Sequence, residues 1–326
     1  MKILVAGGCG FIGSNFVKRL LSDGYEVYVI DDLSRGSLEK LDEYRNHPRL
    51  TFFKVDITGE EVFDIQAKFD VVVDFVAYKI PRYSSGLKTL TVNTKGAENL
   101  LKIAARDSAK FIMASTSDVY GKSQEFPYGE GGDLVLGPSY SRRWAYAVSK
   151  IFNEHMVFAY HDEYGIPFVI LRFFGAYGPH QHLDWWGGPV GVFLSNIYKG
   201  LPVSIHGDGT QKRTFMYIDD LIEGILRAMK FKDAENEIIN IGSSEEISIL
   251  DLARLIHRLS YPENELKLEF ISYESFGNYY EDPKRRIGSY VKMKDILQYA
   301  PHYALEEGLK KFIEWFKNRV ERGTAV

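Results

Sequence analysis

"GGCGFIG", residues 7–13, lies between two stretches of different texture, and its reading decides the fold. Upstream, "KILVAGG" (2–8) is continuously apolar, as expected of a strand covered on both faces. Downstream, "SNFVKRLLSDG" (14–24) puts Phe16, Val17, Leu20 and Leu21 on one helical face and stops at Gly24. Strand, glycine turn and helix make the opening of a βαβ unit. Gly8, Gly10 and Gly13 fit the G-x-G-x-x-G spacing, and Gly7, Gly10 and Gly13 the wider G-x-x-G-x-x-G spacing. Such a turn is tight and brings backbone and helix N-terminus, with Phe11 and Ile12, against a pyrophosphate.

The next segment, "YEVYVIDD" (25–32), reads as a second strand ending in an acid, Asp31. An acid there binds both ribose hydroxyls and repels a 2′-phosphate, which selects NAD over NADP. Arg35 pulls toward NADP, but the adjacent acids Asp31 and Asp32 outweigh it. Further strands are expected at 50–57, 70–77, 110–116 and 167–178, with helices at 89–107 and 145–165 between them. This alternation implies a doubly wound α/β protein with a parallel sheet. After residue 179 the texture changes, from the loop "GPHQHLDWWGGPVG" (178–191) to a closing amphipathic helix at 305–320. We therefore expect a dinucleotide-binding domain at 1–178 with a return segment near 215–245. A smaller substrate-capping lobe then occupies most of 179–326.

The bulk numbers bound the class. The chain has 326 residues, 45% hydrophobic and 26% charged, with a formal net charge of −4. Nucleic acid is not an expected partner for such a surface. A single cysteine, Cys9, rules out an intrachain disulfide and a cysteine-built metal site. The chain opens directly on "MKILVAGG" and has no apolar run long enough for a bilayer, so a cytoplasmic protein without a membrane partner is expected. "HQH" (180–182) followed by Asp184 hints at a metal, but loop histidines at this spacing more often hydrogen-bond, and no metal is assigned.

In "YAVSK" (146–150), Tyr146 and Lys150 stand one helical turn apart and share a face. A phenol titrates near 10, so use as a base at neutral pH requires roughly 4 kcal/mol of phenolate stabilisation. A neighbouring ammonium is expected to contribute to this, and a hydroxyl from "ASTSDVYG" (114–121), Thr116 or Ser117, to complete the bonding.

Together, "GGCGFIG", Asp31, "VDI" (55–57), "NTKGAENLL" (93–101), "STSDVYG" (115–121), "YAVSK" and "GDGTQKRTFMYIDDL" (207–221) resemble the extended short-chain dehydrogenases that act on nucleotide sugars. The resemblance covers nearly the whole chain. It implies a Rossmann domain holding NAD, a lobe holding a nucleoside diphosphate sugar, and a centre of Thr116, Tyr146 and Lys150 that yields a 4-keto sugar. It adds Asp56, Ile57, Ala77, Lys79 and Asn93 to the cofactor contacts. To the substrate contacts it adds Ser117, Asp118, Gly175, Arg213, Arg285 and Arg286. Only one of the two adjacent arginines is expected to reach the ligand. Where 4,6-dehydratases resemble "TDE", this chain has Ser117 and Asp118, which speaks against dehydration; UDP-glucuronate decarboxylases resemble "TSE", which "TSD" approaches. "FVAYKIPRYS" (75–84) resembles the epimerase segment whose lysine, here Lys79, reaches the cofactor ribose. The expectation is therefore an NAD-dependent UDP-sugar 4-epimerase, with UDP-glucuronate decarboxylase as the alternative. A 4,6-dehydratase or a non-catalytic NAD-binding subunit ranks lower. Relatives read "RxFNxYGP" where this chain has "RFFGAYGP" (172–179), which leaves the sugar open. Surplus apolar residues on the 145–165 helix, with the helix at 89–107, suggest a homodimer seam.

Overall fold

Strands that are apolar at every position need cover on both faces, and the fold supplies it. The computed structural model describes residues 1–79, 85–277 and 280–322. The first half runs β1 (Lys2–Ala6), α1 (Phe11–Ser22), β2 (Glu26–Asp31), β3 (Leu50–Lys54), β4 (Val71–Asp74), α2 (Gly86–Asp107), β5 (Lys110–Thr116), α3 (Ala145–Tyr164) and β6 (Phe168–Phe173). There follow β7 (Gly175–Tyr177), α4 (Pro189–Tyr198), β8 (Val203–His206), β9 (Lys212–Tyr217), α5 (Ile218–Lys230) and β10 (Glu237–Ile241). The chain closes with β11 (Glu246–Ser248), α6 (Ile249–Ser260), β12 (Leu268–Ile271), α7 (Val291–Ile296) and α8 (Leu305–Glu321).

Seven parallel strands form one sheet in the order β10-β6-β5-β4-β1-β2-β3. Side chains alternate across it. Ile3 and Val5 join Phe16, Val17 and Ile225 on the face covered by α1 and α5. Leu4 and Ala6 join Leu100, Ala104 and Val157 on the face covered by α2 and α3. Burying each large apolar side chain is worth about 1.5–3 kcal/mol, so both parities of these strands are held inside. The strand order reverses between β1 and β4, which lie side by side while their following loops part to opposite faces. A crevice opens at that point beyond the carboxyl ends of the strands, where ligands bind in open α/β sheets.

Three expected strands end early: the 50–57 strand stops at Lys54. The 70–77 strand stops at Asp74, and residues 75–79 form an irregular edge of the crevice. The remainder of "FVAYKIPRYS", residues 80–84, lies outside the described residues. The 167–178 strand splits at Phe174: β6 stays in the large sheet, while β7 pairs in parallel with β9 in a three-stranded sheet. Gly175 permits that departure, because a Cβ there would lie 2.4 Å from the Thr214 carbonyl oxygen. The return segment is α5 and β10, which complete the large sheet and its helical cover.

Candidate active site

A cavity of about 520 Å³ follows the crevice from the glycine loop to the C-terminal lobe. At one end Gly7 adopts φ +74° in the left-handed region, and Gly10 N–H donates to its carbonyl at 3.0 Å. A Cβ on Gly13 would sit 2.1 Å from that same oxygen, so only glycine lets α1 approach the loop. Gly10 caps α1 without a side chain, leaving the first-turn N–H groups of the helix uncapped beside the cavity. Phe11, Ile12 and Gly13 line this end.

Asp31 closes β2 next to the loop. Its carboxylate accepts Cys9 N–H and Leu33 N–H, both at 2.9 Å. Burial raises its pKa and the two amides partly offset this. Arg35 lies over the Trp186 ring, 4.4 Å from its centroid, so its charge is engaged across the cavity by an aromatic face. Trp186 also meets the Tyr78 ring edge-on at 5.1 Å. Three loops, those of Arg35, Tyr78 and Trp186, thus meet over the dinucleotide end. Asp56, Ile57, Ala77 and Lys79 line the same end. Burial lowers the Lys79 pKa, opposed by Asp118 and Asp184.

Asn93 stands behind the cavity lining: its amide accepts Tyr78 N–H at 2.7 Å and donates to Tyr78 C=O at 3.2 Å and to Ser149 Oγ at 3.0 Å. It ties the Tyr78 loop to α3.

Beyond β5 the polar residues of the centre converge. Thr116 ends the strand, Tyr146 lies in the first turn of α3, and both line the cavity. Lys150, one turn along, is 1% exposed and does not line the cavity surface, and among the described residues its Nζ has no hydrogen-bond partner. Burial lowers the Lys150 pKa against the pull of Asp74 and Glu154. Burial, then Asp118, push the Tyr146 pKa above its ordinary value, with Thr116 and Arg286 opposing. A buried ammonium without a partner and a buried phenol are a demand for ligand polar groups and for positive charge. The glycine cradle, Asp31 and Lys150 together fit the pyrophosphate and ribose hydroxyls of a dinucleotide.

Asp118 has a definite setting. Its Oδ1 accepts Arg143 Nη2 at 2.8 Å and Arg286 Nη1 at 2.5 Å. Burial disfavours its charge, but Arg143, Arg286 and Arg213 outweigh burial and hold the carboxyl well below the usual carboxylate range. Arg213 donates to Asp282 at 2.7 Å, and Arg143 lies 3.5 Å from Asp282. Ser117, Gly175, Arg213 and Arg286 all line this end. Arg285 does not. It forms a two-bond pair with Glu246, at 2.7 and 2.5 Å.

Sequence reasoning passed over Arg143 and Asp282, whose charges complete this network, and Glu154 with Arg172, a buried pair behind α3. Arg143 stood in plain view three residues before Tyr146, but no spacing rule marks it. In the 180–182 loop, Lys18 Nζ lies 3.1 Å from His180 Nε2. Gln181 donates to the Gly187 carbonyl at 2.6 Å. Trp185 stacks on His206 at 4.2 Å between ring centroids. Among the described residues no group of three His, Cys, Asp or Glu side chains is placed to hold a metal, and no helix is long and apolar enough to cross a membrane.

Residues 3–242 match the model of the family described as "NAD dependent epimerase/dehydratase family". The chain is 31% identical to the UDP-N-acetyl-alpha-D-glucosaminuronate decarboxylase of Bacillus cytotoxicus, over 97% of this chain and 98% of that one. The structure of UDP-glucose 4-epimerase from Thermotoga maritima, solved with UDP-glucose, superimposes with a TM-score of 0.86 at 29% identity, covering 98% of this chain and all of that one (100%). The UDP-glucuronic acid 4-epimerase of Bacillus cereus, solved with UDP-glucuronic acid and NAD, gives a TM-score of 0.86 at 31% identity, covering 98% and 99%.

Proposed function

The chain belongs to the NAD-dependent epimerase/dehydratase family, and from that premise we propose that it is a UDP-sugar 4-epimerase. NAD is its cofactor. When bound, NAD supplies a hydride acceptor and donor and a positively charged ring. Gly7, Gly10 and Gly13 with the uncapped start of α1 hold its pyrophosphate, and Asp31 its adenosine ribose. Lys150 gives its unpartnered Nζ to the second ribose.

The residues of the chain then have these roles. Thr116 Oγ1 and Tyr146 Oη bracket the sugar 4-hydroxyl. Tyr146 takes its proton as C4 becomes a ketone and returns a proton when C4 is reduced from the other face. Arg213 and Arg286 meet the diphosphate, for which guanidinium forks are suited.

The observation that carries this reading is the state of Asp118. Elimination of water requires an acid beside Thr116, and Asp118 is held as a carboxylate by Arg143 and Arg286, with the hydroxyl of Ser117 as its neighbour. Epimerisation asks for nothing beyond Tyr146 and space for the ketone to turn. A second reading, UDP-glucuronate decarboxylation, is favoured by the likeness to the Bacillus cytotoxicus decarboxylase. A C6 carboxylate β to a C4 ketone departs as carbon dioxide, the C5–C6 electron pair passing into an enolate that then takes a proton at C5 from solvent. Proton NMR of UDP-galactose and UDP-glucuronate, each incubated with the purified protein, separates the two. A 4-epimer with all sugar carbons intact supports the epimerase; UDP-xylose or its 4-keto precursor replaces it with the decarboxylase.

We further propose a homodimer through α2 and α3, on whose outer faces Leu87, Val148 and Phe152 are 73%, 45% and 51% exposed. Light scattering at micromolar concentration is expected to give twice the chain mass, and a monomer would refute the seam.

A further inference from the structure

Arg143 belongs to none of the motifs that identify the site. It lies in the short turn Arg142–Trp144 that leads directly into α3, three residues before Tyr146. Its side chain is 8% exposed and lines the cavity, and it reaches across to Asp118, two residues past Thr116, at 2.8 Å. The pair therefore ties the segment that carries Tyr146 to the segment that carries Thr116. We propose that Arg143 is a positioning residue for the reaction: through its ion pair with Asp118 it keeps that carboxylate's charge off the Tyr146 phenol. The proposal rests on the reading of Tyr146 as the proton acceptor.

The charges around both groups support this. Tyr146 is faced by Asp118 from the turn after β5, Asp74 from the end of β4, Arg286 from the C-terminal lobe and Lys150 from its own helix. Burial and Asp118 disfavour the phenolate, while Arg286 favours it. Asp118 is faced by Arg143, Arg286, Arg213 and Lys79. Of these, Arg213 is bonded to Asp282, and on the reading above both Arg213 and Arg286 turn to the substrate diphosphate. Once a diphosphate draws on Arg286, Arg143 is the remaining guanidinium bonded to Asp118. Without it the Asp118 charge acts on the phenol through a low-dielectric gap, and proton removal from the sugar needs a higher pH.

The test is the pH dependence of kcat/KM, on whichever of UDP-galactose and UDP-glucuronate is turned over. It compares the wild type with Arg143→Gln, Arg143→Lys, Asp118→Asn, the double variant Asp118→Asn/Arg143→Gln, and Tyr146→Phe. Retained NAD and the thermal midpoint are recorded for each. Arg143→Gln is expected to move the acid limb up by about one pH unit, and Arg143→Lys to restore most of it. Asp118→Asn is expected to move the limb down. The double variant, which removes one charge of each sign and leaves the local sum unchanged, is expected to bring it back to the wild-type position or below. It also keeps the question answerable if Arg143→Gln fails to fold. A lower kcat with an unmoved limb, in Arg143→Gln or in Asp118→Asn, overturns the proposal and makes the pair a structural tie. Full turnover by Tyr146→Phe would sink the underlying reading, and the proposal with it. An inactive Tyr146→Phe beside an unmoved limb sinks the proposal alone.

Discussion

Replacing Glu154 with glutamine tests how the catalytic helix is held. Glu154 lies one turn beyond Lys150 on α3. Its carboxylate accepts Arg172 Nη2 at 2.7 Å, Arg172 Nε at 3.0 Å and Ser115 Oγ at 2.5 Å. The two charged side chains are 4% and 5% exposed, so water does not screen the pair. Glu154→Gln leaves the Arg172 charge buried and uncompensated, with only a neutral amide oxygen, the Glu130 carbonyl at 3.2 Å and the Tyr120 ring at 4.9 Å around it. Removing one partner of a buried pair costs about 3–5 kcal/mol. In a chain of this length each kcal/mol moves the melting midpoint by roughly 2 °C, so a fall of about 5–10 °C is expected. Differential scanning calorimetry reads it directly, with urea midpoints at constant m-value as the cross-check. The double variant Glu154→Gln/Arg172→Met removes both charges and is expected to recover at least half of the loss. A loss under about 1 kcal/mol, the scale of an exposed pair, would refute the reasoning. So would a double variant no more stable than the single.

Three further outcomes are expected. Gly13→Ala forces a Cβ against the Gly7 carbonyl oxygen, at a separation of 2.1 Å unless the loop gives way, and should yield protein that purifies without NAD, seen as the loss of absorbance released on denaturation. Arg286→Ala should raise KM for the nucleotide sugar at least tenfold, while Arg285→Ala, whose partner is Glu246, should leave KM within twofold; equal effects would mean that the wrong arginine faces the ligand. Burial, helped by Lys40 and other cations, lowers the pKa of His180 from 6.5 to about 3 and of His182 from 6.5 to about 4. Unfolded histidines take up protons below 6.5 while these do not, so the stability they contribute is present above 6.5 and lost as pH falls toward 4. Melting midpoints between pH 7 and 4 should fall less steeply in His180→Gln/His182→Gln than in the wild type, and parallel curves would contradict this.

The scaffold was readable because it obeys periodicities. The segments 2–8, 25–32 and 110–116 became strands Lys2–Ala6, Glu26–Asp31 and Lys110–Thr116, covered on both faces, and the glycine spacing became a cradle at the reversal of strand order. The glycine reading extends to Gly175, which allows a close approach between β7 and β9. The site was less readable, because its electrostatics depend on residues brought together from far apart in the chain. Asp118, Arg143, Asp282 and Arg286 come from three separate segments, and no local spacing announces that one carboxylate is held by two arginines. For the same reason the sequence does not show that the Asn93 side chain turns to Tyr78 and the Arg285 side chain to Glu246.

The measurement that bears most directly on the chemistry is proton NMR of the turned-over nucleotide sugar in deuterium oxide, with purified protein and no added cofactor. Oxidation at C4 with return of the same hydrogen is expected to give a 4-epimer that keeps protium at both C4 and C5. Deuterium at C4 would contradict the return of a retained hydrogen. Deuterium at C5 with loss of C6 would show that the ketone formed beside Tyr146 goes on to decarboxylation.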